Sequence, residues 1–517
     1  MYKLGIDVGG TNTDAVLIDE NLNIIGDIKY PTTGDIYEGI LGAMTAVLEQ
    51  TGIDRSQIVQ AMLGTTQCTN AIVERKNLAK IGILRIGAPA TLAIEPMVDW
   101  EEDIQAIAAG KTIIRGGYEY DGKEISPLDE EAAIAFFKEM KEKAVRSIAI
   151  SCAFSTIRNE HEMRAAQLCR EIMGEDVHIS ISSEIGSMGL IERENATILN
   201  AALWKVAERF TNGFAKSLAD EGITNADIYL SQNDGTLMTM EYARRYPILT
   251  VACGPTNSIR GASYLSRLKD AIVIDVGGTT TDIGVIQNAF PRESSVAVTI
   301  GGVRTNFRMP DVISIGLGGG SIVRENADGT VTVGPDSVGF NITKQALVFG
   351  GDTLTATDIA VKLGMAEIGD PSLVEKVPAE LAKKAGETIK TMIEDSIDAM
   401  KVSNDDIDVI LVGGGSIILP EKLAGAAEVV NPEHFGCANA IGSAISKVSG
   451  TYENLINYDE LPRDKALEKA KEAAVEMAVQ AGAVRETVEI IEVEDVPLAY
   501  YPGNTNRVKI KAAGDLR

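Results

Sequence analysis

Two apolar rhythms alternate along this chain. Period-two and continuous apolar runs at 3–6 and 15–18, separated by a polar turn, predict a hairpin over 3–18. A third strand is predicted at 23–30, a helix at 36–50 and a short strand at 59–63. From about 77 to 183 the pattern becomes strand–helix alternation. Strands are expected at 81–86, 147–153 and 177–182, and helices at 130–144 and 159–173. A long helix is predicted over 192–221, then a strand at 227–231 and a turn at 233–235. A second hairpin opens at about 270. A helix at 379–400 follows, with Pro378 at its start, then a strand at 407–412 and a short helix at 439–448. An Ala-, Glu- and Lys-rich helix at 464–482 and alternating strands at 486–492 and 507–512 close the chain.

Strands mixed with crossover helices indicate an α/β fold. The expected divisions are a first half (1–76), an inserted α/β subdomain (77–190), a continuation of the first half with a linking helix (191–269), a second half (270–450) and a C-terminal α+β appendage (451–517).

The two hairpins carry nearly the same words. DVGGTNTD at 7–14 returns as DVGGTTTD at 275–282, and only Asn12/Thr280 differ. Paired glycines let backbone N–H groups approach a bulky anion, and threonine hydroxyls donate to phosphate oxygens. Aspartates repel phosphate directly. They make sense with a hydrated Mg²⁺ between carboxylate and phosphate, or with one carboxylate orienting a nucleophile. A single copy reads equally well as a plain tight turn; two copies far apart point to two facing halves of one polyphosphate site. The P-loop pattern G-x-x-x-x-G-K-[ST] does not occur, and the glycine pairs lead into strands rather than helices, which argues against a dinucleotide turn. VGGGSIILP at 412–420 is a third glycine-rich turn, with glycines against which a flat base can lie and Ser416 expected as the N-cap of a following helix.

Composition narrows the field. The 517 residues suffice for several domains, and 45% hydrophobic with 24% charged residues describe a globular protein. A formal charge of −26 argues against nucleic acid or an anionic membrane as partner. Five scattered cysteines and three histidines lack metal-ligand spacing, so neither a disulfide framework nor a zinc site is expected. With no signal peptide and no run of 18 apolar residues, a cytoplasmic setting is expected.

The order of phosphate turn, phosphate turn and adenosine turn resembles the actin-like ATPase superfamily. More specific strings narrow this further. GTTQCTNAIVERK at 64–76, the FS…HE-x-RA pattern within 154–165, ERENATILN at 192–200, SQNDG at 231–235 and GLGGGSI at 316–322 are similar to those of the hydantoinase/oxoprolinase family. LAYYPGN at 498–504 is similar only to some shorter members, and Ile313 stands where larger relatives carry a histidine.

The resemblance implies two ribonuclease H-like halves around a nucleotide cleft. It also implies ATP- and Mg²⁺-dependent phosphorylation of a cyclic amide such as a hydantoin or 5-oxoproline, which activates the ring for opening with a hydrolase partner subunit. A homo-oligomer is compatible with it. Asp7 and Asp275 are then expected at the hydrated metal, and Asp14 or Asp282 at the attacking group. Gly9, Gly10, Thr11, Asn12 and Thr13 would cradle phosphates with Gly277, Gly278, Thr279, Thr280 and Thr281. Gly413, Gly414, Gly415 and Ser416 would hold adenosine. Asn70, Glu74, Arg75, Asn233 and Asp311 are candidate substrate contacts, with an internal salt bridge the competing reading for Glu74 and Arg75. Rival functions on the same fold are a small-molecule kinase, a partner-reactivating ATPase and a degenerate nucleotide-binding scaffold.

Overall fold

The computed structural model describes residues 1–9, 12–31, 36–186, 188–294, 298–307, 309–498 and 503–516. Gly10, Thr11 and most of the 498–504 string therefore lie outside the described residues.

Near-continuous apolar strands need cover on both faces, and two sheets are built that way. In the first, Tyr2–Val8 pairs antiparallel with Asn12–Asp19 and parallel with Ile58–Thr65. Leu4, Ile6, Ala15 and Leu17 belong to one buried cluster with Ile40, Met44 and Val47 of helix Ile36–Thr51. Val16 and Ile18, on the opposite face, meet Ala440, Ile441 and Ala444 of helix Ala438–Ile445. The second sheet has Ala271–Val276 at its centre, between Thr281–Gln287 and Ile407–Val412. Helix Ala379–Met400 buries Ile389, Ile393 and Ile397 in the cluster on one face, and helix Cys253–Ser266 buries Ile259 and Ala262 on the other.

The two sheets are joined where helices Cys253–Ser266 and Ala438–Ile445 cross. Their backbones touch closely: a Cβ at Gly261 would lie 1.8 Å from the Ala438 carbonyl oxygen, and one at Gly442 would lie 1.9 Å from that of Asn257. Any larger residue at either position would pry the halves apart.

A separate four-stranded parallel sheet in the order Ala108–Arg115, Ile81–Ala88, Ser147–Cys152, His178–Ile181 has its own core around Phe137, Met140 and Ile150. The long helix Leu190–Asp220 ties this sheet to the first half. Its Glu194 takes Arg85 in a fully buried ion pair and accepts a 2.6 Å hydrogen bond from Ser151.

The tail is not a separate layer. Strand Val448–Asn457 pairs with Leu237–Thr239 and Thr505–Gly514, and Glu489–Pro497 forms the edge, so residues from 448 onward extend the first sheet to nine strands. Helix Arg463–Ala481 lies on it through the stripe Ala466, Ala470, Ala474 and Ala478. Strand and helix types are readable from periodicity there. Pairing with a strand more than two hundred residues away is not, and that is why an appendage was expected.

Candidate functional site: two aspartate hairpins

The described residues of both octapeptides pair as hairpins of identical register. Asp7 faces Asp14 and Val8 faces Thr13 in the first; Asp275 faces Asp282 and Val276 faces Thr281 in the second. Each is closed by the same bond: the Gly9 N–H donates to the Asn12 carbonyl at 3.0 Å, and the Gly277 N–H to that of Thr280 at 2.9 Å.

One helix shows that the hairpins converge. Asn257 donates its amide to Asp7 at 3.3 Å, and the next residue, Ser258, donates its hydroxyl to Asp275. Adjacent residues have Cα atoms 3.8 Å apart, so the first aspartates of both halves meet over one helical turn. Asn439, from the other crossing helix, adds a 2.9 Å bond to Asp7. Lys29 lies opposite Asp14 in strand Ile24–Pro31 and donates to both of its oxygens, at 2.7 and 2.9 Å.

Each cross-strand pair of carboxylates resists ionisation. Burial, then Asp14, pushes Asp7 up to about 6. Burial likewise pushes Asp282 up to about 6 against a hydrogen bond from Ser314, and raises Asp275. Burial alone would lower Lys29, but the Asp14 carboxylate more than offsets it and holds the ammonium above its ordinary value.

Glycine-rich turns line the second hairpin. The Gly415 N–H donates to the Val276 carbonyl at 2.8 Å, the Gly319 N–H to that of Gly277 at 3.0 Å and the Gly320 N–H to that of Gly278 at 2.8 Å. Gly413 has φ +82° and its missing Cβ would fall 2.2 Å from an Asp275 oxygen; a Cβ at Gly64 would fall 2.1 Å from one of Asp7. Both carboxylates thus sit in hollows that only glycine leaves open. Gly414 is exposed and Thr279 partly so, whereas Thr13 and Thr281 are buried. The Thr281 hydroxyl is committed to the Leu317 carbonyl at 2.7 Å, beneath the turn rather than on it. Ser416 caps nothing: it begins the 3-10 turn Ser416–Ile418, and its buried hydroxyl, like Oδ1 of Asn257, has no partner among the described residues.

Asp7 and Asp275 offer two hard oxygen donors from opposite halves. Mg²⁺ is held in that way, by one or two carboxylates with waters and phosphates completing its shell. Among the described residues no three His, Cys, Asp or Glu side chains are gathered to hold a metal unaided. The donor set fits a Mg²⁺ that arrives with phosphates.

The other candidates are spread out. Asn70 is exposed on helix Gln67–Val73 and donates to Thr66 at 3.3 Å. Glu74 pairs with Lys76, and Arg75 with Glu101 and Asp103, at the root of the inserted sheet. Asp311 pairs with Arg292 at 2.7 Å. Asn233 lines a cavity of about 1,100 Å³, together with Ser155, Asn159, Glu192, Arg292 and Lys511. Three of the quoted strings, those at 154–165, 192–200 and 231–235, meet there. Ile6, Leu63 and Leu230 share one row of parallel strands. With strands about 4.8 Å apart, the turn after Ser231 lies roughly 10 Å across the sheet from the Asp7 row.

Lys29, Asn257, Ser258, Asn439 and the Gly318–Gly320 turn are site residues that sequence reasoning did not select. The glycines stood in a string already noted and Asn439 at the start of a predicted helix; Lys29 and Asn257 had no local signal. All five cysteines are free and buried, and burial pushes the Cys68 and Cys253 thiols up to about 12. No described helix is long and apolar enough to cross a membrane.

Comparison with known proteins fits this geometry. The hydantoinase/oxoprolinase N-terminal region matches residues 3–173, and the hydantoinase/oxoprolinase family model matches 193–367. Caprolactamase subunit alpha of Pseudomonas jessenii is 26% identical over 86% of this chain and 65% of its own length. The acetophenone carboxylase gamma subunit of Aromatoleum aromaticum is 26% identical over 70% of this chain and 53% of its own. The chain thus spans less than two thirds of the length of both. The crystal structure of the ATP-dependent caprolactamase from Pseudomonas jessenii superposes with a TM-score of 0.80 at 20% identity, covering 100% of this chain and 88% of that one. That likeness shows a shared α/β fold. The chain belongs to the hydantoinase/oxoprolinase family.

Proposed function

We propose that this chain is the ATP-binding component of an enzyme that phosphorylates the carbonyl of a cyclic amide, such as a hydantoin, 5-oxoproline or a related lactam, and so activates it for ring opening by a partner subunit. The observation that carries the reading is the convergence of Asp7 and Asp275 on Asn257 and Ser258, which makes one site of two phosphate-type hairpins. Relatives named as subunits of a caprolactamase and a carboxylase support both the ATP dependence and the partner.

An amide carbonyl is a poor electrophile. In the proposed reaction its oxygen attacks the γ-phosphorus, the bond to the ADP oxygen breaks, and the amide N–H proton passes to a carboxylate. We assign Asp282 to take that proton, since among the described residues a hydroxyl and no cation engages it. Asp7 and Asp275 would hold Mg²⁺, which when bound offsets phosphate charge. Backbone N–H groups of the two turns would orient the phosphates, and Gly413–Ser416 the adenosine. Holding the two reactants together supplies roughly 7–11 kcal/mol of the barrier. We assign the carbonyl compound to the cavity bordered by Asn233.

A second reading, activation of a ketone, is favoured by the acetophenone carboxylase relative. The test is phosphate release from ATP across a panel of lactams, hydantoins and aryl and alkyl ketones, with and without the product of the neighbouring gene, followed by product identification. Stimulation by cyclic amides and a ring-opened acid are expected. A stable phosphoester would mean a kinase; ATP hydrolysis indifferent to every carbonyl compound would overturn the proposal.

A further inference from the structure

We propose that Lys29 is a nucleotide-sensing lysine: its ammonium leaves Asp14 for the phosphates when nucleotide enters, freeing Asp14 to position the attacking group. This rests on the nucleotide reading of the site and adds a residue and a switch to it.

The geometry is asymmetric in a telling way. The Asp14 side chain is 3% exposed and fixed, whereas that of Lys29 is 34% exposed. Of the two partners only the lysine is free to swing. Its stem crosses from the first half to the second: a Cβ at Gly414 would stand 3.7 Å from its Cε, and one at Gly436 3.8 Å. Gly414 belongs to the turn assigned to adenosine, so Lys29 already lies along the path a nucleotide would take. Its charge is also felt at Asp275. The same edge is anchored nearby by His434 on Asp27, at 2.9 Å, which ties the root of this strand across the halves while Lys29 remains movable.

The chemistry makes Asp14 and a phosphate competitors. A lysine ammonium is a compact point charge with three rotatable donors on a flexible stem, and it binds carboxylate and phosphate alike. With no nucleotide, Asp14 is the stronger claim on it. A polyphosphate brings several charges at once and outbids a single carboxylate. The carboxylate left behind is buried, keeps only the Asn439 amide among the described residues, and can accept a hydrogen bond from a donor group of the bound amide, orienting the oxygen that attacks. Occupancy by phosphate and availability of Asp14 thereby become one event.

The test is a double-mutant cycle on affinity rather than turnover, using Lys29→Met, Asp14→Asn and the pair. Binding of MgATP and of adenosine is measured by calorimetry. Loss of a charge-assisted hydrogen bond corresponds to about a 10–100-fold change. K29M is expected to weaken MgATP by that factor and to leave adenosine unchanged. D14N is expected to tighten MgATP, and the tightening is expected to vanish in the K29M background. If D14N tightens MgATP equally with and without Lys29, relief of simple repulsion is the cause and the switch is overturned. It is also overturned if K29M binds MgATP as the wild type does, or if adenosine weakens in parallel. Lys29→Arg, which keeps the charge, should retain most of the affinity and guards against a folding defect in K29M. A wild-type protein that binds no ATP would instead remove the nucleotide reading beneath it.

Discussion

The first hairpin hides its carboxylates and compensates them; the second leaves its pair nearer the surface with hydroxyls for company. Asp7 is held by two amides and Asp14 by an ammonium, while Asp275 and Asp282 each take one serine hydroxyl. Seven of eight residues are the same and the register is the same. The repeat therefore sets the backbone, and the neighbours, which do not repeat, divide the chemistry. A buried, doubly bonded Asp7 suits a fixed metal position. A carboxylate that meets no cation among the described residues and is pushed up to about 6 by burial, as at Asp282, suits proton transfer.

The most severe way to break the comparison is to remove the one role the hairpins share. Asp7→Asn and Asp275→Asn should each lower ATP turnover by about 10²–10³-fold or more, the scale of losing a positioned electrostatic contact in a transition state. Phosphate release, with circular dichroism to confirm folding, checks it. Near-wild-type turnover in either variant would mean that the halves do not act on one phosphate group.

Stability should then separate the hairpins. Burial pushes Asp7 up to about 6 in the fold, against an ordinary value of 3.8. Its contribution is favourable below pH 4 and is lost as pH rises through 6, so above neutrality the nucleotide-free protein carries a buried charge. Asp7→Asn removes it and should stabilise the nucleotide-free protein by up to about 3 kcal/mol at pH 8, with the gap closing towards pH 4. Denaturant melts at both pH values measure this. Asp275→Asn should gain less, because Asp275 as a residue is less buried than Asp7. Equal gains would show that the second hairpin is as desolvated as the first.

Glycine hollows give a third contrast. Gly64→Ala sends a Cβ into the Asp7 carboxylate and the Asn257 amide that binds it, from ordinary backbone, so it should disturb that pair and raise the MgATP KM about tenfold. Gly413→Ala displaces Asp275 and adds the cost of φ +82°, about 1 kcal/mol. The signature is a lower melting temperature in G413A only; a matching drop in G64A would contradict it.

Much of this was legible in the chain. The helix Ala379–Met400 and the strand Ile407–Val412 fall where periodicity puts them, and the repeated octapeptide announces both hairpins with their cross-strand aspartates. Lys29 was not legible. A lysine in an alternating strand reads as solvent-facing, and only the third strand's register sets it opposite Asp14. Asn257 and Asn439 are ordinary helical polar residues until two helices cross. Ser416 has the residue type of a cap, but a 3-10 turn follows it and leaves its hydroxyl without that use. The misses at Lys29, Asn257 and Asn439 are convergences of distant segments, which local rules do not encode.

The finest distinction is between the serines that serve the two hairpins. Ser314 donates to Asp282 and favours its charged form, holding it lower than burial alone would. If Asp282 accepts the proton, turnover should fall about tenfold per unit below pH 6, since the base must be ionised. Ser314→Ala removes a hydrogen bond worth about 1 kcal/mol, which moves the acid limb up by roughly 0.5–1 pH unit. Ser258→Ala loosens Asp275, which transfers no proton in this scheme, so it should raise the MgATP KM and leave the limb where it was. A limb that follows Ser258 and ignores Ser314 would move proton transfer to Asp275 and exchange the roles of the two aspartates within the second hairpin.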